Sequence, residues 1–199
     1  MSGAVDFYFD FVSPMSYIGL ARLQDVQART GCDINFHPFF LGGVMKAAGV
    51  QPPPTIPAKA AFIQKDMARH AKRFARPFVF NPAFPMNTRS LLIAATGLED
   101  DERLPAFISF GFSLVWAKAV DVSRPDLLQA AWVDAPIGFD AFEALAGDET
   151  HAARLKANTQ KAVERGAFGA PTFFVGDEMF FGQDRLDFVE DALTAKNWI

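Results

Sequence analysis

Val5-Asp6-Phe7-Tyr8-Phe9-Asp10-Phe11, followed at once by Val12-Ser13-Pro14-Met15-Ser16, decides the fold. The first seven residues alternate and are rich in strand formers, so they read as a buried strand. Ser13 stands at a helix N-cap and Pro14 at the first helical position, where the missing N–H costs nothing. The pattern predicts a helix from there to about Thr30, with Tyr17, Leu20, Ala21 and Ala28 near one face and Gly31 as its stop. Asp33-Ile34-Asn35-Phe36-His37-Pro38-Phe39 supplies a second strand. Strand, helix and strand in that order favour a parallel pair joined by a right-handed crossover.

Beyond this unit the chain changes character. Gln51-Pro52-Pro53-Pro54-Thr55-Ile56-Pro57 reads as a stiff, extended connector. Helical patterns then dominate, near 58–75, 88–96, 103–120, 125–132, 139–146 and 149–165. Asn87 or Thr88 and Ser123 are candidate N-caps, and Gly97 and Gly166 candidate stops. Strand patterning returns at Pro171-Thr172-Phe173-Phe174-Val175, and the turn Gly176-Asp177 leads into Glu178-Met179-Phe180-Phe181, a hairpin signal. Gly182-Gln183-Asp184-Arg185 opens a last amphipathic helix through Leu186, Val189 and Leu193. With the helical block set aside, β-α-β…β-β-α remains. The expected fold class is therefore α/β, a thioredoxin-like fold interrupted by an all-helical insertion. Residues 1–45 and 166–199 form the thioredoxin-like domain in this reading, and 46–165 the insertion.

Composition excludes several classes of function. The formal net charge is -4 over 199 residues, which argues against nucleic acid as a partner. No apolar run is long enough to span a membrane, and the first residues lack the basic region and apolar core of a signal peptide, which together predict a cytoplasmic protein. Cys32 is the only cysteine, so an intrachain disulfide and a cysteine-based zinc site are both out. His37, His70 and His151 lie far apart without metal-ligand spacing, so no metal site is expected.

Ser13-Pro14-Met15-Ser16 occupies the turn where redox proteins of this fold carry Cys-x-x-Cys. Serine cannot shuttle electrons, so disulfide exchange is excluded here. Free backbone N–H groups and the positive end of the helix dipole remain, and these suit an anion. Taken by itself, Ser13 is also an ordinary helix cap. Gly169-Ala170-Pro171-Thr172 places a proline just before a strand, where this fold uses a cis-proline facing the active-site helix. Ala170 thereby becomes a contact for an extended, peptide-like ligand. In Gly182-Gln183-Asp184-Arg185, a helix start can take a carboxylate and Asp184 an ammonium group, although an Asp cap with a surface Arg explains the same residues.

Phe9-Asp10-Phe11-Val12-Ser13-Pro14-Met15-Ser16-Tyr17, Gly166-Ala167-Phe168-Gly169-Ala170-Pro171-Thr172-Phe173 and Phe181-Gly182-Gln183-Asp184-Arg185-Leu186 resemble the 2-hydroxychromene-2-carboxylate isomerase family. That family is related to kappa-class glutathione transferases and to bacterial disulfide oxidases. Leu41-Gly42-Gly43-Val44-Met45-Lys46 and Pro57-Ala58-Lys59 are also similar to it. The resemblance implies a glutathione site. Ser13 is expected to hydrogen-bond the sulfur and favour its thiolate, Ala170 beside Pro171 to pair with the cysteinyl part, and Gln183 and Asp184 to meet the γ-glutamyl end, with Arg185 also among the glutathione-binding residues. Lys59 is expected near a carboxylate, and Val50 stands where related transferases place an asparagine, so it offers only its backbone. Asn87 matches a polar position of the family and is a candidate substrate contact, with helix capping as its other reading. Trp116 reads as core.

The implied chemistry is reversible thiolate addition, interconverting 2-hydroxychromene-2-carboxylate and trans-o-hydroxybenzylidenepyruvate, or a related conjugated keto acid, in aromatic degradation. A free thiol has a pKa near 8.5 and is only a few per cent thiolate at neutral pH. Lowering that pKa by about 1.5 units takes about 2 kcal/mol and makes the thiolate the main form. The alternatives are a kappa-class-like glutathione transferase or peroxidase, and a non-catalytic thioredoxin-like binding protein. The expected partners are glutathione, a small aromatic carboxylate and a second copy in a homodimer.

Overall fold

β1 (Ala4–Phe9) lies inside a four-stranded sheet of order β2-β1-β3-β4, where β2 is Asp33–Pro38, β3 Thr172–Val175 and β4 Glu178–Phe181. The structure, a computed structural model, describes residues 3–52 and 55–194. β1 pairs in parallel with β2, from Ala4 opposite Asp33 to Phe9 opposite Pro38, and antiparallel with β3, Phe7 facing Phe173. β3 and β4 form the expected hairpin, Phe173 facing Phe180, with Gly176 at φ 60° in its turn. The sheet is mixed because a crossover helix makes the first pair parallel and a two-residue turn makes the last antiparallel.

Alternation along β1 sorts the core. Phe7 and Phe9 point to one face and stack with each other at 5.2 Å, and Phe7 stacks on Phe173 at 5.1 Å. α1 (Pro14–Thr30) covers this face with Leu20, Leu23 and Val26, and α9 (Leu186–Thr194) with Leu186 and Val189. Tyr8 and Phe174 point to the other face, under α2 (Leu41–Ala47) and α8 (Glu149–Glu164), against Val44 and Ala162.

Between these lie α3 (Pro57–Arg73), α4 (Arg89–Gly97), α5 (Leu104–Trp116), α6 (Pro125–Ala130) and α7 (Phe139–Gly147). The helical block shares the main core with the sheet through Leu91, Leu92, Phe107 and Phe112. It docks at the carboxyl end of β1. The Trp116 indole N–H donates to the Phe11 carbonyl at 2.8 Å, and the Phe11 ring lies 4.9 Å from that of Phe112. Trp116 is fully buried, as a core residue.

Several local expectations change. α2 is absent from the sequence pattern because Gly42 and Gly43 weaken its helical signature. The helix expected to reach 120 ends at Trp116, whose carbonyl accepts from Val79 N–H at 2.7 Å. Ser123 does not cap α6: Arg124 holds that position, and the Ser123 hydroxyl donates to Asp121 at 2.6 Å. Thr88 is the N-cap residue of α4 but makes no capping bond, while Asn87 Oδ1 accepts from Arg89 N–H at 2.9 Å. The last helix begins with a 3₁₀ turn, Gln183–Arg185, so these residues precede the α-helix instead of forming its first turn.

Candidate active site

α1 begins as the sequence dictates. Ser13 is its N-cap in extended conformation, and its Oγ accepts from Ser16 N–H at 3.1 Å. The Ser13 hydroxyl donates in turn to the Ala170 carbonyl at 3.3 Å. Residues 157 positions apart therefore meet at the helix start, and Ser13 is 3% exposed. The Ala170–Pro171 peptide is cis. Gly19 makes the contact possible: a Cβ there would lie 3.1 Å from Pro171 Cγ.

The third segment arrives through Gly182, whose N–H donates to the Pro171 carbonyl at 3.0 Å. Its φ is 101°, a conformation that calls for glycine, whereas the nearest atom to a Cβ there, Asp184 Oδ1 at 2.7 Å, is a side-chain end able to move aside. Gln183 is 5% exposed, and its carbonyl accepts from the Arg22 guanidinium of α1. Arg22 also pairs with Asp187 at 2.8 Å, fixing the 3₁₀ turn against the helix. Ser13, Ala170, Pro171 and Gln183 are thus brought together around one face of α1.

Unmet hydrogen bonds mark this region. Gln183 Oε1 and Ser16 Oγ are buried without a partner, and the Ala170 N–H takes none among the described residues. A buried orphan of this kind costs about 1–3 kcal/mol, so a ligand that meets it gains that much. This set holds acceptors and one donor, the groups an extended, peptide-like molecule with an ammonium end would pair with.

The remaining candidates stand further out. Asp184 and Arg185 are exposed and pair with each other at 2.9 Å. α3 runs beside α1 in the same direction: Ile18 clusters with Met67 and Ala71, Arg22 lies over the Phe74 ring, and Arg76 reaches Asp25. This direction carries exposed Lys59, in the first turn of α3, toward the Ser13 end. Val50 is exposed and its N–H already donates to the Met45 carbonyl at 2.9 Å, while its carbonyl accepts no backbone bond among the described residues. Asn87 and Arg89 line a cavity of about 460 Å³ with Ile93, Leu128, Phe139 and Phe142. Arg89 also borders a second cavity of about 380 Å³ between α2 and α8, beside Phe40 and Lys156. Neither cavity is lined by Ser13 or Pro171. The described residues contain no group of three or more His, Cys, Asp or Glu side chains able to hold a metal ion.

Asp10 was not singled out by sequence reading. It is 1% exposed and follows β1 directly. Burial pushes its carboxyl up from the ordinary carboxylate range, opposed by hydrogen bonds from Thr88, Leu41 and Val12. A charged residue inside an aromatic run was the available signal, because a buried carboxylate needs donors.

Residues 4–194 match the DSBA-like thioredoxin domain model. A 2-hydroxychromene-2-carboxylate isomerase from Sphingobium xenophagum is 33% identical over 97% of this chain and 99% of its own. The chain belongs to that isomerase family. A second such isomerase, from Pseudomonas putida, is 33% identical over 95% of this chain and 93% of its own. The solved structure of a 2-hydroxychromene-2-carboxylate isomerase superposes with a TM-score of 0.86 at 31% identity, covering 96% of this chain and 94% of the other. Glutathione S-transferase kappa 1 from Caenorhabditis elegans is 30% identical over 95% of this chain and 90% of its own. No helix among the described residues is long and apolar enough to cross a membrane.

Proposed function

We propose that the chain is a glutathione-dependent isomerase of 2-hydroxychromene-2-carboxylate, or of a closely related conjugated aromatic keto acid, acting in the cytoplasm as a homodimer. The observation that carries this reading is the Ser13 hydroxyl at the start of α1, 3.3 Å from the Ala170 carbonyl beside Pro171. Bound glutathione would be held by Ser13, Ala170 and Gln183 and would supply a thiol able to add reversibly to the conjugated system, so that it would act as a catalyst. Residues of the chain do the rest. The Ser13–Ala170 bond is long for an O–H···O pair, so the Ser13 proton is readily redirected to a neighbouring sulfur. The N-terminus of the 17-residue α1 adds a favourable potential for negative charge at that point.

Ala170 offers its free N–H to an extended ligand backbone, and Gln183 Oε1 accepts from an ammonium group. Asp184 adds negative charge near the same end, Arg185 orients it, and Val50 contributes its carbonyl. Lys59 attracts a ligand carboxylate from α3. Asn87 is the candidate contact for the aromatic acid and Arg89 beside it offers the opposite charge, from cavities that Ser13 and Pro171 do not line. The helical block, residues 46–165, acts as the insertion that brings these groups to a thioredoxin-like frame.

The test follows the absorbance of 2-hydroxychromene-2-carboxylate with and without glutathione, for the wild type and Ser13→Ala. The expected result is many substrate molecules turned over per glutathione, and a loss of about 30-fold in kcat/KM for Ser13→Ala, the factor that corresponds to about 2 kcal/mol of thiolate stabilisation. Activity independent of glutathione, or an unimpaired Ser13→Ala enzyme, refutes the mechanism. Stoichiometric consumption of glutathione would instead favour a transferase.

A further inference from the structure

Asp10 makes more connections than the turn it sits in requires. Its carbonyl accepts from Ser13 N–H at 3.0 Å. Its Oδ1 accepts from Val12 N–H at 3.1 Å and from the Thr88 hydroxyl at 2.7 Å, while Oδ2 accepts from Leu41 N–H at 3.0 Å. One residue thus holds the serine turn, the first residue of α2 and the residue preceding α4. Thr88 is 4% exposed, so the shared bond lies out of water. Among the described residues no Arg or Lys pairs with this carboxylate, and its burial is offset there by neutral donors.

The chemical type matters. Three donors converge on two oxygens, which a carboxylate satisfies with acceptors only. An amide of the same shape presents one oxygen and sets an N–H donor against either Leu41 N–H or the Val12 and Thr88 donors. Thr88 is followed directly by Arg89, whose side chain borders both cavities described above.

We propose that Asp10 is a positioning residue that locks the Ser13 turn to the start of α4, holding the thiol-activating hydroxyl and the Arg89 guanidinium in one register. Its value for turnover rests on the isomerase reading; the coupling itself does not. Misplacement of reacting groups by about 1 Å is enough to cost up to two orders of magnitude in rate. A simple fold staple between the same elements would affect stability only.

Thr88→Val removes one donor at almost constant volume, and Thr88→Ser keeps the hydroxyl. Asp10→Asn provides a second, stronger lesion. In Thr88→Val, amide hydrogen exchange at Val12, Ser13 and Leu41 is expected to accelerate at least about tenfold, and kcat to fall about tenfold, with the glutathione Kd within twofold of wild type. Thr88→Ser is expected to restore both exchange and kcat. Wild-type protection at Val12, Ser13 and Leu41 in Thr88→Val overturns the coupling. Faster exchange with an unchanged kcat in an active enzyme overturns the positioning role. An inactive wild type refutes the isomerase reading, and the exchange rates then still decide the coupling.

Discussion

Gln183 pairs a structural cost with a binding role. Its backbone is fixed by Arg22 and by the Gly182 turn, yet its buried Oε1 has no partner among the described residues. Replacing it by an apolar residue of similar size removes the orphan and the ligand contact together. Gln183→Leu is therefore expected to raise the stability of the free protein by about 1 kcal/mol, equivalent to a Tm increase of roughly 2–4 °C for a chain of this length. Glutathione binding is expected to weaken about five- to tenfold, read by calorimetry. A variant that loses stability and retains affinity would remove Gln183 from the γ-glutamyl site.

At the scale of elements, α5 holds the helical block against the end of β1 that carries Ser13. Gly111 lies at that junction: a Cβ there would fall 2.7 Å from Phe11 Cε1. Phe11 cannot retreat freely because its carbonyl accepts from Trp116. Gly111→Val is expected to cost about 2 kcal/mol by overpacking, seen as a Tm fall of roughly 4–8 °C. Gly147→Ala, with nothing near its Cβ, serves as a control expected to leave Tm within about 2 °C. The distribution of such contacts explains what was legible in the chain. Elements with their own period or punctuation, such as the β1 alternation, Ser13-Pro14 and the Gly31 stop, announce themselves locally. The Ser13–Ala170 meeting was accessible because its two segments each carry a motif of the fold. The bond between Asp10 and Thr88 was not, because it joins residues 78 apart whose local appearances are a strand end and a cap. α2 was hidden for the opposite reason, a helix held by Val44 against the sheet despite two glycines.

The whole molecule distributes charge unevenly, and acid should expose part of that design. Asp6 on β1 is held well below the usual carboxylate range, first by the His37 hydrogen bond and then, against desolvation, by Asn35 and Arg165. Because the folded value is the lower one, its contribution to stability is present above the unfolded value of about 3.9 and is lost as pH falls beneath it. Thermal scans from pH 7 to 3 should show wild-type Tm falling below about pH 4, with a shallower fall from a lower starting point in Asp6→Asn. Parallel curves would remove Asp6 from acid sensitivity.

Charge also bears on how an anionic substrate reaches a protein of net charge -4. The segment 57–76 carries Lys59, Lys65, Arg69, Lys72, Arg73 and Arg76 against the single acid Asp66, so the remainder of the chain is the more strongly acidic. Lys65 and Lys72 are exposed on α3, beside the helix that begins at Ser13. A local positive potential of this kind raises encounter with anions, and it fades once the Debye length drops to about 10 Å at 0.1 M salt. Lys65→Glu with Lys72→Glu is therefore expected to lower kcat/KM for the aromatic carboxylate about three- to tenfold at low ionic strength and to leave kcat unchanged. Raising salt should reduce the wild-type value toward that of the double variant. Equal salt dependence in the two proteins would return α3 to the role of a solvated face, because steering by these lysines requires that their reversal and their screening converge.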